Sequence, residues 1–244
     1  MRKLFALTKR NLLELIRDPI ALILCIGFPT VMLVFMQLIF KGFEYVPANF
    51  AIENYSVGVC VFGYTFTALF VALSVSGDKN TSFIKRLAIA PVNKLVYYLS
   101  YLFSSLPIIL VQSMLFFAIA LAFGLPFDYN VLLALLYLIP SALLYISIGV
   151  LLGSVCKNEK QTGPISSIFI SATGILGGVF MPIEAFSGIF GKIVNFLPFT
   201  HTVKIASDLY VNTTSNFFVH FTVIVIYVAV IWLTIFLVEK LKKK

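Results

Sequence analysis

The hydrophobic pattern of this chain consists of long runs, not short alternations. Apolar stretches recur at Pro19–Phe40, Tyr55–Ser76, Val96–Phe123, Val131–Val155, Pro164–Met181 and Phe217–Val238, and charge collects in the breaks between them. A hydrocarbon layer of about 30 Å takes about 20 apolar residues as a helix, whereas a barrel strand is about half as long and alternates strictly. The runs therefore predict six transmembrane helices. Where the third and fourth come close, Gly124-Leu125-Pro126-Phe127-Asp128 supplies the turn that parts them.

Three segments between the runs carry patterns of their own. In residues 1–18, Leu4, Phe5, Leu12, Leu15 and Ile16 recur near helical spacing while Lys9, Arg10, Glu14 and Arg17 fall elsewhere, which predicts an amphipathic interfacial helix. Asp18-Pro19 stops it and starts the next helix. In residues 78–94, Asn80, Thr81 or Ser82 can cap a short helix that Pro91 ends. Phe83, Ile84 and Leu87 form an apolar stripe on it beside Lys85 and Arg86, suited either to a groove on a partner or to the lipid surface. Residues 182–216 are long and apolar. Phe186, Ile189, Phe190, Ile193 and Leu197 follow helical spacing between Pro182 and Pro198, but Gly188 and Gly191 break the stretch and it is too short to span. It reads as a re-entrant or interfacial segment, an outer gate or a packing lid. The pairs Gly149/Gly153 and Gly174/Gly178 permit close helix approach, within one subunit or between two.

Composition agrees and adds orientation. Apolar residues make up 60% of the 244 and charged ones 11%, too few charges to cover a water-soluble surface. Mean hydropathy is +1.02. Soluble enzymes, nucleic-acid binders and disordered chains are set aside. Basic residues gather at Arg2, Lys3, Lys9, Arg10 and Arg17, at Lys79, Lys85, Arg86 and Lys94, at Lys157 and Lys160, and at Lys240, Lys242, Lys243 and Lys244; only Lys41, Lys192 and Lys204 fall on the other side. Basic residues beside span ends are retained in the cytosol, so both termini are expected there and the amino-terminal run is a retained anchor. The net charge of +8 then reflects topology and anionic lipid, and no nucleic-acid partner is needed. Cys25, Cys60 and Cys156 are scattered and read as packing residues.

Candidate chemistry is sparse. The runs are read as free of ionisable side chains, which counts against a proton-coupled carrier or channel. Hydroxyls and amides such as Thr65, Thr67, Ser74, Gln112, Ser166, Ser167, Ser171 and Thr173 remain inside them, mostly for helix packing. His201 and His220 belong to no HExxH pair or nucleophile elbow and read as packing or interface residues, so neither a catalytic nor a metal site is expected. There is no GxxxxGK[ST] motif, so ATP and its Mg would have to be held by another chain.

In order and spacing, the segment ending Arg17-Asp18-Pro19, the loop from Asp78 to Pro91, and Gly178-Val179-Phe180-Met181-Pro182 followed by Leu197-Pro198 resemble the ABC-2 type permeases, the membrane subunits of a class of ABC exporters. Asn80-Thr81 stands where that family often has a second acidic residue and a glycine. The resemblance covers nearly the whole chain. It implies an all-α integral membrane protein: six transmembrane helices, an interfacial amino-terminal helix, re-entrant helices before the last span and cytoplasmic termini. It further implies a half-transporter of the cell membrane, paired with a second copy or a paralogue and served by a separate cytosolic ATPase. Asp78, Lys79, Ser82, Phe83, Ile84, Lys85, Arg86, Leu87 and Pro91 would couple to that ATPase, together with Arg10, Glu14 and Arg17 of the interfacial helix. Phe180, Pro182, Phe186, Phe190 and Pro198 would form the outer gate, and the first, second and fifth spans would face the twofold axis. The expected cargo is an amphipathic or hydrophobic compound, with polysaccharide, glycolipid or ion export as the alternatives.

Overall fold

The helix boundaries follow from caps written in the sequence. The computed structural model describes residues 2–89, 93–210 and 216–241. Helix α1 (Arg2–Arg17) stops at Asp18, whose carboxylate accepts hydrogen bonds from the Ile20 and Ala21 backbone and so opens α2 (Pro19–Phe40). Pro19 occupies the first turn, where no donor is needed. A π-turn, Ile23–Gly27, carries α2 into Pro29, whose ring would otherwise press on the carbonyl four residues back. Then follow α3 (Ile52–Asp78), α4 (Ser82–Ile89), α5 (Lys94–Ala122) and α6 (Tyr129–Val155), with Asn93 capping α5 and Asp128 capping α6. Asn158 caps α7 (Glu159–Leu176). Beyond it Gly178, at φ 83°, turns the chain into one 3-10 turn at Ile183–Ala185, which leads to α8 (Gly188–Phe196) and α9 (Pro198–Ser207). The last helix is α10 (Phe217–Leu241), and the described residues contain no strand.

Helix α3 is the axis of the bundle, with 83% of its most apolar stretch buried against α6, α7 and α5. Its seam with α6 depends on Gly149 and Gly153. A Cβ at Gly149 would collide with the backbone of Ala68, and one at Gly153 would lie 2.6 Å from Val75 Cβ. That pair therefore serves packing inside one subunit. The second pair does not form a helix seam: Gly174 makes room for the Phe180 ring, and Gly178 supplies the positive φ just described.

The outer helices contrast with this axis. In α2 and α10 only 17% of the apolar window is buried, and Ile20, Ile23, Val31 and Phe35 on one and Phe218, Val230 and Leu233 on the other stand exposed. Apolar surface on this scale is unfavourable in water and at ease in hydrocarbon, so the chain is a membrane protein.

Two expectations change. Five helices, α2, α3, α5, α6 and α10, are long and apolar enough by length and composition to cross a membrane. The expected run Pro164–Met181 is not one of them: α7 spans 18 residues, about 27 Å, begins with Glu159-Lys160-Gln161-Thr162 and ends at Leu176. Nor are the runs free of ionisable groups. His220 sits in the first turn of α10, 7% exposed, and α3 runs two residues past Ser76 to end on the buried carboxylate of Asp78. Set among strongly apolar neighbours, a single histidine does little to lower the hydropathy of the run.

The seam makes a prediction. Gly153→Leu would force Val75 and the α3 backbone apart and destabilise the folded chain by about 1–3 kcal/mol. Gly163→Ala, at a position with nothing within 4 Å of the added carbon, would leave it unchanged or slightly more stable. Thermal unfolding in mild detergent checks both; equal melting of the two variants would remove the close-packing role of Gly153.

Candidate functional site

The ends of α1, α3, α4 and α5 meet around one carboxylate. Asp78, 4% exposed, closes α3 and accepts hydrogen bonds from Arg10 Nη1 and Nη2, each at 2.8 Å. Tyr97 Oη at 3.1 Å and Tyr101 Oη at 2.5 Å, both on α5, also donate to it. Four donors from two helices compensate the lost hydration of a buried charge. Arg10 in turn donates to Asn11 Oδ1 at 3.0 Å and Tyr101 Oη at 3.3 Å, pairs with Glu14 at 3.1 Å, and lies with its guanidinium carbon 4.2 Å from the centre of the Phe83 ring. Beside it the buried Asn11 donates to Ser100 Oγ at 2.9 Å. Burial works against the Arg10 charge, but the hydrogen bond to Asp78 and the fields of Tyr101, Asp78 and Glu14 outweigh it and hold the guanidinium above its ordinary value. Burial also raises the Glu14 carboxyl; Arg10 opposes this and Asp78 adds to it.

The loop that follows is anchored residue by residue. Lys79 Nζ donates to the carbonyls of Ser154 at 2.6 Å and Cys156 at 2.5 Å, satisfying the carboxyl end of α6. Thr81 Oγ1 returns to the Asp78 carbonyl at 2.7 Å, and Arg86 folds back on Ser82 Oγ at 3.3 Å. Phe83, Ile84 and Leu87 are partly buried against the core of the chain itself, with the Phe83 ring centre 6.4 Å from that of Tyr97. The outward side of α4 shows Ser82, Arg86 and Ile89, the last 87% exposed. The stripe read as a partner-facing surface is thus turned inward. Pro91 and the Lys85 side chain lie outside the described residues. Arg17 stands exposed at the end of α1. A groove of about 340 Å³ opens beside the network between α1, α3 and α7, with Glu14, Asp18, Asp78 and Glu159 in its wall. Arg10, Lys79 and Lys94 therefore sit at one end of the bundle, where Lys94 also pairs with Glu239 of α10 at 2.5 Å.

The opposite end holds the expected gate residues in two groups. Phe180 packs edge-on against Phe62 of α3, ring centres 4.9 Å apart, and Pro198 is buried at the start of α9. Phe186 and Phe190 pair with each other at 5.3 Å, and Pro182 is exposed. On α8 the apolar residues Ile189, Phe190, Ile193 and Phe196 face outward, as on an interfacial helix. Here His201 and His220 lie side by side, with Asp208 on the far ring nitrogen of His220.

Sequence reasoning singled out Arg10, Glu14, Asp78 and Phe83, but not that they touch, and it missed Asn11, Ser100, Tyr97 and Tyr101. The signals were present: Asn11 is a polar residue on the apolar side of α1, and Tyr97 and Tyr101 stand four apart, on one face of α5.

Two outcomes follow from these contacts. Asp78→Ala would leave Arg10, Tyr97 and Tyr101 without their shared acceptor and lower stability by about 2 kcal/mol, less than a fully buried pair loses, because a third of Arg10 remains in solvent. A loss under a quarter of that in denaturant unfolding would remove the network from the structural core. For Glu14 the carboxyl is raised in the fold, so its contribution is greatest when protonated and declines as pH rises through the folded value. Glu14→Gln therefore keeps or raises the melting temperature at neutral pH and flattens its decline with rising pH; a lowered neutral melting temperature would give the ion pair with Arg10 the larger weight.

The sequence profile of the ABC-2 type transporter family matches residues 2–211. A search of curated proteins finds no match. The matched stretch takes in everything from α1 to α9, Arg10, Asp78 and His201 included, while α10 with His220 and Glu239 lies beyond it. On these grounds the chain belongs to the ABC-2 type transporter family, the membrane permeases of ABC transporters.

Proposed function

We propose that the chain is one half of an ATP-driven exporter of the cell membrane, moving an amphipathic or hydrophobic compound outward. Two copies, or this chain and a paralogue, pair in the bilayer. Each is served by a separate cytosolic ATPase that holds ATP and Mg, and this chain performs no hydrolysis itself. In this reading α7 completes six spans, both termini and α4 are cytosolic, and α8 and α9 form the outer re-entrant gate.

The observation that carries the reading is the Arg10–Asp78 network. Helix α4 sits on Arg10 through Phe83, Arg10 grips the end of α3 through Asp78, and Lys79 grips the end of α6. A push on α4 reaches the two most buried spans within one turn of helix, which is what a coupling element needs. The ATPase would meet Ser82, Arg86 and Ile89, and Phe83, Ile84 and Leu87 would pass the displacement inward. The pathway reading rests on α7. Its exposed side mixes Ile165, Ile168 and Ile175 with Ser167 and Ser171, whose hydroxyls donate back to Gly163 and Ser167 carbonyls at 3.0 Å each. Such a surface is weakly polar, suited to a partner helix or an amphipathic cargo more than to bulk lipid.

Purification in mild detergent from the native host tests the proposal. A stoichiometric ATPase should accompany the chain, and Arg86→Glu with Ile89→Asp should reduce transport-coupled hydrolysis about tenfold or more while the chain still inserts and melts normally. A well-folded chain that is always alone, or unchanged coupling in the double variant, would overturn it.

A further inference from the structure

At the end of the bundle opposite Asp78, a groove of about 620 Å³ opens between the end of α2, the start of α3 and the end of α5. Cavities of that size hold small organic groups. Its walls combine apolar rings with two opposite charges. Phe40 and Phe50 stack with ring centres 4.9 Å apart, and Phe123 stands on the α5 side. Lys41 and Glu53 line the same groove, yet neither forms an ion pair or a side-chain hydrogen bond with any described residue. Gln37 donates from Nε2 to the Phe50 carbonyl at 3.1 Å, which ties the connection 41–51 to α2 and leaves Oε1 as an acceptor. Helix α3 begins here without a side-chain cap, so its first backbone N–H groups have no partner within the helix. Next to Phe50, the Asn49 amide and Tyr55 Oη are buried without a hydrogen-bond partner, the Tyr55 ring 5.3 Å from that of Phe50.

The two charges select what fits. A simple anion would gain Lys41 and be repelled by Glu53, and a simple cation would meet the reverse. A group that carries both signs is favoured by both residues. The surroundings select the rest of the molecule. Beside the groove α2 exposes Phe35, Leu38 and Ile39, and α5 exposes Met114 and Leu115, which is ground for acyl chains. Phe43 and Tyr45 stand exposed in the connection, as aromatic residues do at the level of the headgroups.

We propose that this groove binds the headgroup of a zwitterionic phospholipid of the phosphatidylethanolamine type. Lys41 and the N–H groups at the start of α3 take the phosphate, and Glu53 with Gln37 Oε1 takes the ammonium. The three N–H donors of a primary ammonium suit a carboxylate and an amide oxygen; a trimethylated one offers none. The acyl chains lie along α2 and α5. Bound in this way, the lipid joins the far end of α2, whose apolar window is only 17% buried, to α3 and α5. The site goes beyond the transporter reading and stands whether or not an ATPase drives the chain.

The test is local, because basic residues elsewhere on the chain would also attract anionic lipid. The three native cysteines are buried, so a bimane label can be placed on Val46→Cys, at the groove wall. The full chain, with any partner it purifies with, is reconstituted in phosphatidylcholine bilayers. Quenching is read with added phospholipids that carry a nitroxide near the head of one acyl chain. Phosphatidylethanolamine should quench at about fivefold lower content than phosphatidylglycerol. That preference should vanish in Glu53→Gln, and in Lys41→Gln phosphatidylglycerol should lose its advantage over a nitroxide-labelled diacylglycerol. The same label on Phe218→Cys, exposed at the start of α10, should show no preference for phosphatidylethanolamine. Each comparison sets two lipids against each other on one variant, so a general effect of the substitution on folding cancels. Equal quenching by phosphatidylethanolamine and phosphatidylglycerol at Val46→Cys, or a preference that persists in Glu53→Gln, would overturn the site. Displacement of the lipid by an equal concentration of water-soluble phosphoethanolamine would overturn the lipid as its occupant.

Discussion

A buried carboxylate at the end of a membrane helix has to be met by donors, and Asp78 organises one end of this protein for that reason. Its two oxygens take hydrogen bonds from a guanidinium on α1 and two phenols on α5. The same guanidinium supports the ring of Phe83 on α4. None of these helices would be bound to the others by the hydrophobic effect alone, because hydrocarbon is as good a neighbour for their apolar faces as another helix is. The polar network supplies the specificity that lipid cannot, and it does so where a short helix meets the ends of the spans.

Away from that end, shape takes over from charge. Glycines on α6 let it approach the backbone of α3, and with α5 and α7 around it α3 becomes the buried axis. Helices α2 and α10 are left outside with their apolar faces open. This asymmetry separates a rigid centre from a periphery free to contact lipid or a second subunit. Lys79, reaching from the end of α3 to the end of α6, ties the centre to the polar network. At the far end α9 is held by hydroxyl contacts to α6 and by the paired histidines to α10. The two ends thus use different chemistry, a buried ion pair with its phenol donors at one and hydroxyl and imidazole contacts at the other.

Much of the architecture was legible without coordinates. Long apolar runs can be satisfied in only a few ways, so five of the expected spans stand as membrane-length helices, and the caps Asp18, Asn93, Asp128 and Asn158 mark helix starts by local geometry alone. The fifth run, Pro164–Met181, is not among these because its apolar residues are diluted by hydroxyls and its last residues leave the helix at Gly177 and Gly178. The amphipathic stripe on α4 was visible, but not its direction. Periodicity states that a helix has an apolar side, and the side it turns toward depends on what stands next to it.

The sequence by itself therefore determined the class of the protein and the positions of five membrane-length helices, since these depend on hydrophobic length and local capping. Only the tertiary structure decided that Arg10 meets Asp78 across 68 residues, that Phe83, Ile84 and Leu87 face inward, and that His201 and His220 lie 2.7 Å apart. Contacts between distant residues depend on how helices pack around one another, and that packing is a joint property of all the faces, which no single segment encodes.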